Sequence, residues 1–367
     1  MGNKQPETPH LPRLLIASLL HLKIFSFNLE ATLLSPLLSS VSPMLLHQTP
    51  SLPPSQLLPP PPLKDTESSS LMHNMDDDVL FQRASMVPRI LEYPYKRLPK
   101  VAFMFLARGR LPFDSLWEKF FKGNEGLYSI YVHTHPSFNM SSTPEDSVFY
   151  MRRIPSKTVE WGKASMIDAE RRLLASALLD FSNERFILLS ESCIPLYNFT
   201  TIYNYVIHSD KSFIDSSDKP AKDGRVRYNQ NMSPTITFSD WRKGSQWFEV
   251  NRKLAVEIIS DKKYYPIFEK YCHKPCFMDE HYIPTIVNIL SPEENSNRSL
   301  TWVDWSIIGP HPGRFGREAI SMEFLDQIRF GTNCTYNGMP TSMCFLFARK
   351  FFPDAQQSLL ELIFCSN

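Results

Sequence analysis

The stretch "VAFMFLARGRLP", Val101 to Pro112, decides the fold. Its apolar run, Val101 to Ala107, is short, continuous and stopped by "RGRLP", the pattern of a strand buried on both faces and followed by a turn. Helical spacing follows from Phe113 to Phe121, and "YSIYVHTHP", Tyr128 to Pro136, reads as a second strand by the same test. "SMIDAERRLLASALLDF", Ser165 to Phe181, has the spacing of an amphipathic helix, and "RFILLSESCIPL", Arg185 to Leu196, supplies a third apolar strand. Strand, helix, strand, helix, strand predicts a mostly parallel α/β sheet with helices on both faces.

Ligands of such sheets collect at the carboxyl ends of the strands. That rule selects Arg108 and Arg110 after the first strand, His133 and His135 after the second, and Ser190, Glu191 and Ser192 after the third. Taken singly, each also reads as ordinary loop polarity. The chain has 367 residues, 43% hydrophobic and 13% aromatic, enough for a large core. With 39 basic and 38 acidic side chains it has a formal net charge of +1, so no whole-chain field favours nucleic acid. An anionic ligand must be held by local cations.

The front of the chain differs. Residues 1–41 form a leader in which Leu14 to Leu20 is apolar, but His21, Lys23 and Glu30 interrupt the run before it reaches the ~20 residues that cross a bilayer. Lys4 and Arg13 ahead of it make a signal-anchor candidate; an unstructured leader fits as well. Residues 42–97 read as a disordered Pro/Ser-rich stem, marked by "PPSQLLPPPPL", and "MDDDV", with Asp76 to Asp78, reads as a solvated charge run. One globular domain, 98–367, is expected to follow. It carries sequons at Asn139, Asn198, Asn231, Asn297 and Asn333. Cys272 with Cys276, or Cys334 with Cys344, could cross-link in an oxidising lumen; spacing leaves the connectivity open.

Further on, "WRKGSQWFEVNRKLAVEII" opens with a basic turn, Arg242 to Gly244, and continues as a helix to Ile259. "MCFLFARKF" is an apolar strand ending in Arg349 and Lys350, and "DEHYIPTIV" places Asp279, Glu280 and His281 where a helix begins. The triplet lacks the spacing of a metal site, which leaves a carboxylate base or acids that complement the positive end of a helix dipole.

Taken in order, "VAFMFLARGRLP", "YSIYVHTHP", "EWGKASMIDAERRLLASAL", "RFILLSESCIPLYNF", "GSQWFEVNRKLA", "DEHYIPTIV", "LTWVDWS" with "GPHP", and "FLFARKF" resemble the plant branch of the core-2/I-branching β-1,6-N-acetylglucosaminyltransferase family, glycosyltransferase family 14. The likeness runs from about Pro99 to Phe352. It implies a GT-A type, Rossmann-like fold, a UDP-sugar donor, a glycan or glycoprotein acceptor, and inversion at the anomeric carbon. A type II protein of the Golgi membrane with a lumenal catalytic domain is also implied. The family lacks the Asp-X-Asp metal motif, and here "SESCIP" follows the third strand, so no metal cofactor is expected.

Without a metal, cations must stabilise the departing diphosphate. The resemblance assigns that task to Lys350 and, by a less regular spacing, to Arg329. It makes Glu280 the general base, Ala107, Arg108 and His133 nucleotide contacts, and Glu191, Trp302 and Asp304 acceptor-side residues. N-acetylglucosamine is the expected sugar, with xylose and glucuronic acid as alternatives within the family. Two other readings compete: a glycoside hydrolase using Glu191 with Glu280, and a carbohydrate-binding protein without catalysis.

Overall fold

The apolar run from Val101 becomes the central strand of a sheet because both of its faces find helices to cover them. The structure is a computed structural model that describes residues 71–86, 97–139, 143–220, 224–307, 309 and 311–364. The leader with its signal-anchor candidate, the Pro-rich stretch from Ser42 to Leu63, and Cys365 lie outside the described residues.

In chain order the first half runs α1 (Asp77–Ser85), β1 (Lys100–Leu106), α2 (Asp114–Phe121), β2 (Tyr128–His133), α3 (Ala164–Leu178), β3 (Asn183–Ser190), β4 (Ile194–Pro195) and α4 (Phe199–Ile207). The second half runs β5 (Glu249–Asn251), α5 (Arg252–Ser260), α6 (Tyr265–Tyr271), α7 (Met278–Leu290), β6 (Thr301–Val303) and α8 (Met322–Phe330). It ends with β7 (Cys334–Tyr336), β8 (Met339–Thr341), β9 (Phe347–Arg349) and α9 (Gln356–Phe364).

The main sheet has the order β2-β1-β3-β5, with β1 parallel to both neighbours. Alternation along β1 sends Val101, Phe103 and Phe105 to one face, where Trp117, Phe120 and Phe121 of α2 and Phe199 of α4 pack. Ala102 and Met104 go to the other face, against Leu173 and Leu174 of α3, Leu254 and Ile258 of α5, and Ile283 of α7. The α/β architecture read from the sequence is therefore present, mostly parallel and covered on both faces. One edge differs: β5 runs antiparallel to β3, pairing Phe186 with Val250. Its three residues end at Asn251, whose side chain caps α5 by accepting from the Leu254 N–H, so the strand was hidden in the approach to a helix.

Register aligns the strand ends. Leu106 stands opposite His133 on one side and Ser190 on the other, so three chain exits share one rim. A smaller sheet, β4-β9-β6, abuts that rim, with Phe351 N–H donating to the Ser192 carbonyl at 3.2 Å. Helix α1 is an addition to the sequence reading. Asp76 accepts from the Val79 N–H as its cap, Asp77 pairs with Arg172 and Lys157, and Leu80 and Ala84 are buried. Asp76 and Asp78 are solvent-exposed, as read from the sequence, but the triplet also starts a helix packed on α3 and α5, and Asp77 is drawn into its ion pairs. The cysteines pair Cys272 with Cys276 and Cys334 with Cys344, and Cys193 is a buried thiol.

The edge strand is locked by charge. Arg185 of β3 holds Glu249 of β5 through Nε at 2.7 Å and Nη2 at 2.9 Å, and Glu249 is fully buried. Removing one partner leaves the other charge buried and unpaired, which typically costs about 3–5 kcal/mol. Arg185→Leu is expected to lose about that much in urea unfolding; a loss below about 1 kcal/mol would contradict this account of the edge.

Candidate active site

The rim where the strands end opens into a cleft of about 370 Å³. Its lining draws on the main sheet (Leu106, Ala107, Arg108, His133, Ser190, Glu191), on the approach to β5 (Lys243 to Trp247), on α7 (Asp279, Glu280), and on β9 and its exit (Arg349, Lys350). Of the residues selected from sequence, Ala107, Arg108, His133, Glu191, Glu280 and Lys350 share this one cleft.

Glu280 sits in the first turn of α7, a helix that begins without a side-chain cap. Two cations meet the same oxygen of its carboxylate: Arg227 Nη1 at 2.8 Å and Lys243 Nζ at 3.3 Å, both on Oε2. Among the described residues no hydrogen bond or ion pair engages the other oxygen, Oε1. The Glu280 carbonyl accepts from the Gly244 N–H at 2.8 Å, tying α7 to the basic turn. Gly244 has to be glycine there, since a Cβ would come within 1.7 Å of the Asp215 carbonyl oxygen. Its neighbour Asp279 is buried, and burial first, then the Glu280 charge, pushes its carboxyl up to about 6.

The wall at β9 is cationic. Arg349 is partly buried with its guanidinium 4.1 Å from the Trp247 ring centre, and its Nε is shielded from solvent with no hydrogen-bond partner among the described residues. Burial brings it down to about 10. Lys350 is half-buried; burial, then the charges of Arg349 and Arg314, bring its ammonium down to about 8. Among the described residues, none of Arg108, Arg314, Arg349 and Lys350 forms an ion pair. Glu191 lies near them, but its Oε2 accepts from the Arg108 N–H at 3.0 Å. His133 is buried, and burial followed by the charges of Arg172 and Arg153 lowers it to about 3, so its imidazole is neutral and its Nε2 accepts from the Lys157 N–H at 3.3 Å.

Five selected residues do not line the cleft: Arg110, which pairs with Asp114, Ser192, Arg329, Trp302 and Asp304. Arg329, in the last turn of α8, donates to the Leu196 carbonyl at 2.8 Å and stacks over Tyr197; it does not line the cleft. Arg349 stands in the wall instead. Trp302 packs on Phe315 and Phe324, and Asp304 braces a loop by accepting at its Oδ1 from the Ser306 N–H and at its carbonyl from the Gly313 N–H. Alternation along β6 turns Val303 to the cleft and Trp302 away, and beyond the strand end Trp305 lines the cleft while Asp304 does not. Trp305, more than half exposed, and Trp161 on the opposite lip are lining residues that the sequence reading missed.

A parallel α/β sheet with a basic wall and a poised carboxylate at its carboxyl rim suits transfer chemistry on a phosphate-bearing substrate. The Core-2/I-branching enzyme family model matches residues 101–329, and the chain belongs to that family of glycosyltransferases. It is 39% identical over 309 residues to Glycosyltransferase BC10 of Oryza sativa subsp. japonica, covering 72% of this chain and 76% of that protein.

The lowered ammonium gives a direct check. With Lys350 as the only reductively methylated lysine followed by ¹³C NMR, or assigned through Lys350→Arg, its resonance is expected to titrate near pH 8. The charge is present below that pH and lost above it. A midpoint above about 10, the ordinary lysine range, would show that the wall does not depress it.

Proposed function

We propose that the chain moves a sugar, N-acetylglucosamine in the first instance, from a UDP-sugar to a hydroxyl of a glycan or glycoprotein acceptor, with inversion and without a metal ion. The observation that carries this reading is the pairing, in one cleft, of an oriented carboxylate with the cations Arg108, Arg349 and Lys350, which form no ion pair among the described residues. In this reading Glu280 Oε1 takes the acceptor hydroxyl proton as that oxygen attacks the anomeric carbon. The bond from that carbon to the β-phosphate oxygen breaks, and UDP leaves with the electron pair. Lys350 and Arg349, with Arg108 at the opposite strand end, hold the growing charge on the diphosphate. Arg329 serves this wall only from behind, through the Leu196 segment it anchors.

His133 and Ala107 form the floor on the nucleotide side, and Glu191 sets the Arg108 backbone. Trp305 and Trp161 give the acceptor side aromatic faces against which a pyranose ring can stack. The two disulfides and the exposed sequons at Asn139, Asn231, Asn297 and Asn333 support a lumenal site of action, for which we propose the Golgi. No helix among the described residues is long and apolar enough to cross a membrane, so an anchor would have to come from elsewhere in the chain.

Purified protein given a panel of UDP-sugars is expected to release UDP with one of them, and the rate should persist in excess EDTA. Glu280→Gln should lower kcat by about 10²–10⁴-fold with little change in UDP affinity. Loss of wild-type turnover on chelation would remove the metal-free mechanism, and a near-normal kcat in Glu280→Gln would remove the base. Below pH 8 donor affinity should hold; above it KM for the donor should rise as Lys350 loses its proton, and Lys350→Arg should flatten that limb.

A further inference from the structure

Residues 154–160 form no helix or strand, yet the stretch from Lys157 to Trp161 supplies three cleft residues, Lys157, Val159 and Trp161. A wall built from irregular chain needs ties. Several come from the adjacent sheet and helix: Ile154 N–H to the Val132 carbonyl at 3.0 Å, Thr134 N–H to Ser156 Oγ at 3.2 Å, Lys157 N–H to His133 Nε2 at 3.3 Å, and Glu160 N–H to Ser165 Oγ at 2.9 Å. One comes from α1, far away in sequence: Lys157 Nζ meets Asp77 Oδ2 at 2.7 Å.

Asp77 is itself fixed. Arg172 of α3, nearly buried, grips both of its oxygens, Nε to Oδ1 at 2.7 Å and Nη2 to Oδ2 at 2.8 Å. The guanidinium fork sets the orientation of the carboxylate, and the oriented carboxylate sets the ammonium of Lys157. Leu80 and Ala84, buried on the same helix, hold Asp77 at that spot.

We infer that Asp77 is a positioning residue of the cleft: α1 holds Lys157, and with it the 155–161 wall, against His133, so the helix is a working part of the site and not a spacer before it. The bearing of this tie on catalysis rests on the reading that the His133 side receives the nucleotide-sugar.

The test uses the full chain as wild type, Asp77→Asn, Lys157→Met and the double variant. In amide hydrogen exchange without ligand, each single variant should speed exchange across 155–161 by about fivefold, the scale of a partly exposed ion pair. The double variant should add nothing to Lys157→Met within that segment. Asp77→Asn alone should also lower Tm, because it leaves Arg172 short of a partner, whereas Lys157→Met should leave Tm close to wild type. Wild-type exchange at 155–161 in either single variant, or additive effects there in the double, overturns the tie. UDP titrated by calorimetry separates the two readings: wild type should bind UDP several-fold more tightly than Asp77→Asn, and equal affinities overturn the positioning role. If wild type binds no UDP, the donor reading fails, and the exchange result alone still decides whether Asp77 holds the wall.

Discussion

The register of the parallel ladder governs the rest of the structure. Because Leu106 aligns with His133 and with Ser190, three segments leave the sheet at one level and their first polar residues crowd a common rim. A slip of one residue in either pairing would exchange one buried face of a strand for the other, setting the large Phe103 and Phe105 where the cluster fits Ala102 and Met104, and the packing of the two apolar clusters opposes it. The rim is therefore as rigid as the core. The small sheet inherits that rigidity, since β4 follows β3 after a short turn and β9 lies against β4, which delivers Arg349 to the rim from the far end of the chain.

Charge is divided unequally within the cleft. Glu280 is already neutralised by Arg227 and Lys243, so its orientation does not depend on a ligand. Across the lining, Arg349 and Lys350 have no such partner among the described residues, and burial depresses both. The aromatic face of Trp247 offsets part of the cost of burying the guanidinium. What is left is a positive field in a confined space, where water screens poorly and an anionic group gains most.

The legible parts of the sequence were those in which a residue's neighbours in the chain settle its environment. Apolar runs such as Val101 to Ala107 have nowhere to go except a buried strand, and the ends of those runs marked Arg108, His133 and Glu191. Glu280 and Lys350 came from the family likeness, since a carboxylate at a helix start and a basic strand end look ordinary by themselves. Parity defeated the reading of "TWVDWS": either alternate set could face the cleft, and only the pairing of Thr301 to Val303 with Phe347 to Arg349 selects Val303 and Trp305 over Trp302 and Asp304. Arg329 and Arg349 each follow an apolar residue, Ile328 and Ala348, and nothing local says which one meets the Leu196 carbonyl and which the cleft. Helix α1 buries only Leu80 and Ala84 among its nine residues, too faint a stripe to separate it from a charged linker.

A basic wall without ion pairs among the described residues has a thermodynamic consequence that the paired carboxylate does not. Holding Arg349 and Lys350 together out of water works against folding, as their lowered pKa values record, and a bound diphosphate would relieve both the mutual repulsion and the lost hydration. In the proposed reaction, binding energy drawn from that relief would be directed at the part of a nucleotide-sugar donor where negative charge grows as the glycosidic bond breaks. It therefore rises between ground state and transition state, which is the condition for a contact to speed the reaction and not merely tighten the complex. Glu280 has the opposite arrangement: its Oε2 is occupied from the start, so under the proposed role as base the carboxylate would not have to be reoriented before Oε1 accepts a proton. The two halves of the cleft thus differ in preparation, one with cations outside any ion pair among the described residues, the other with its carboxylate already paired by the fold.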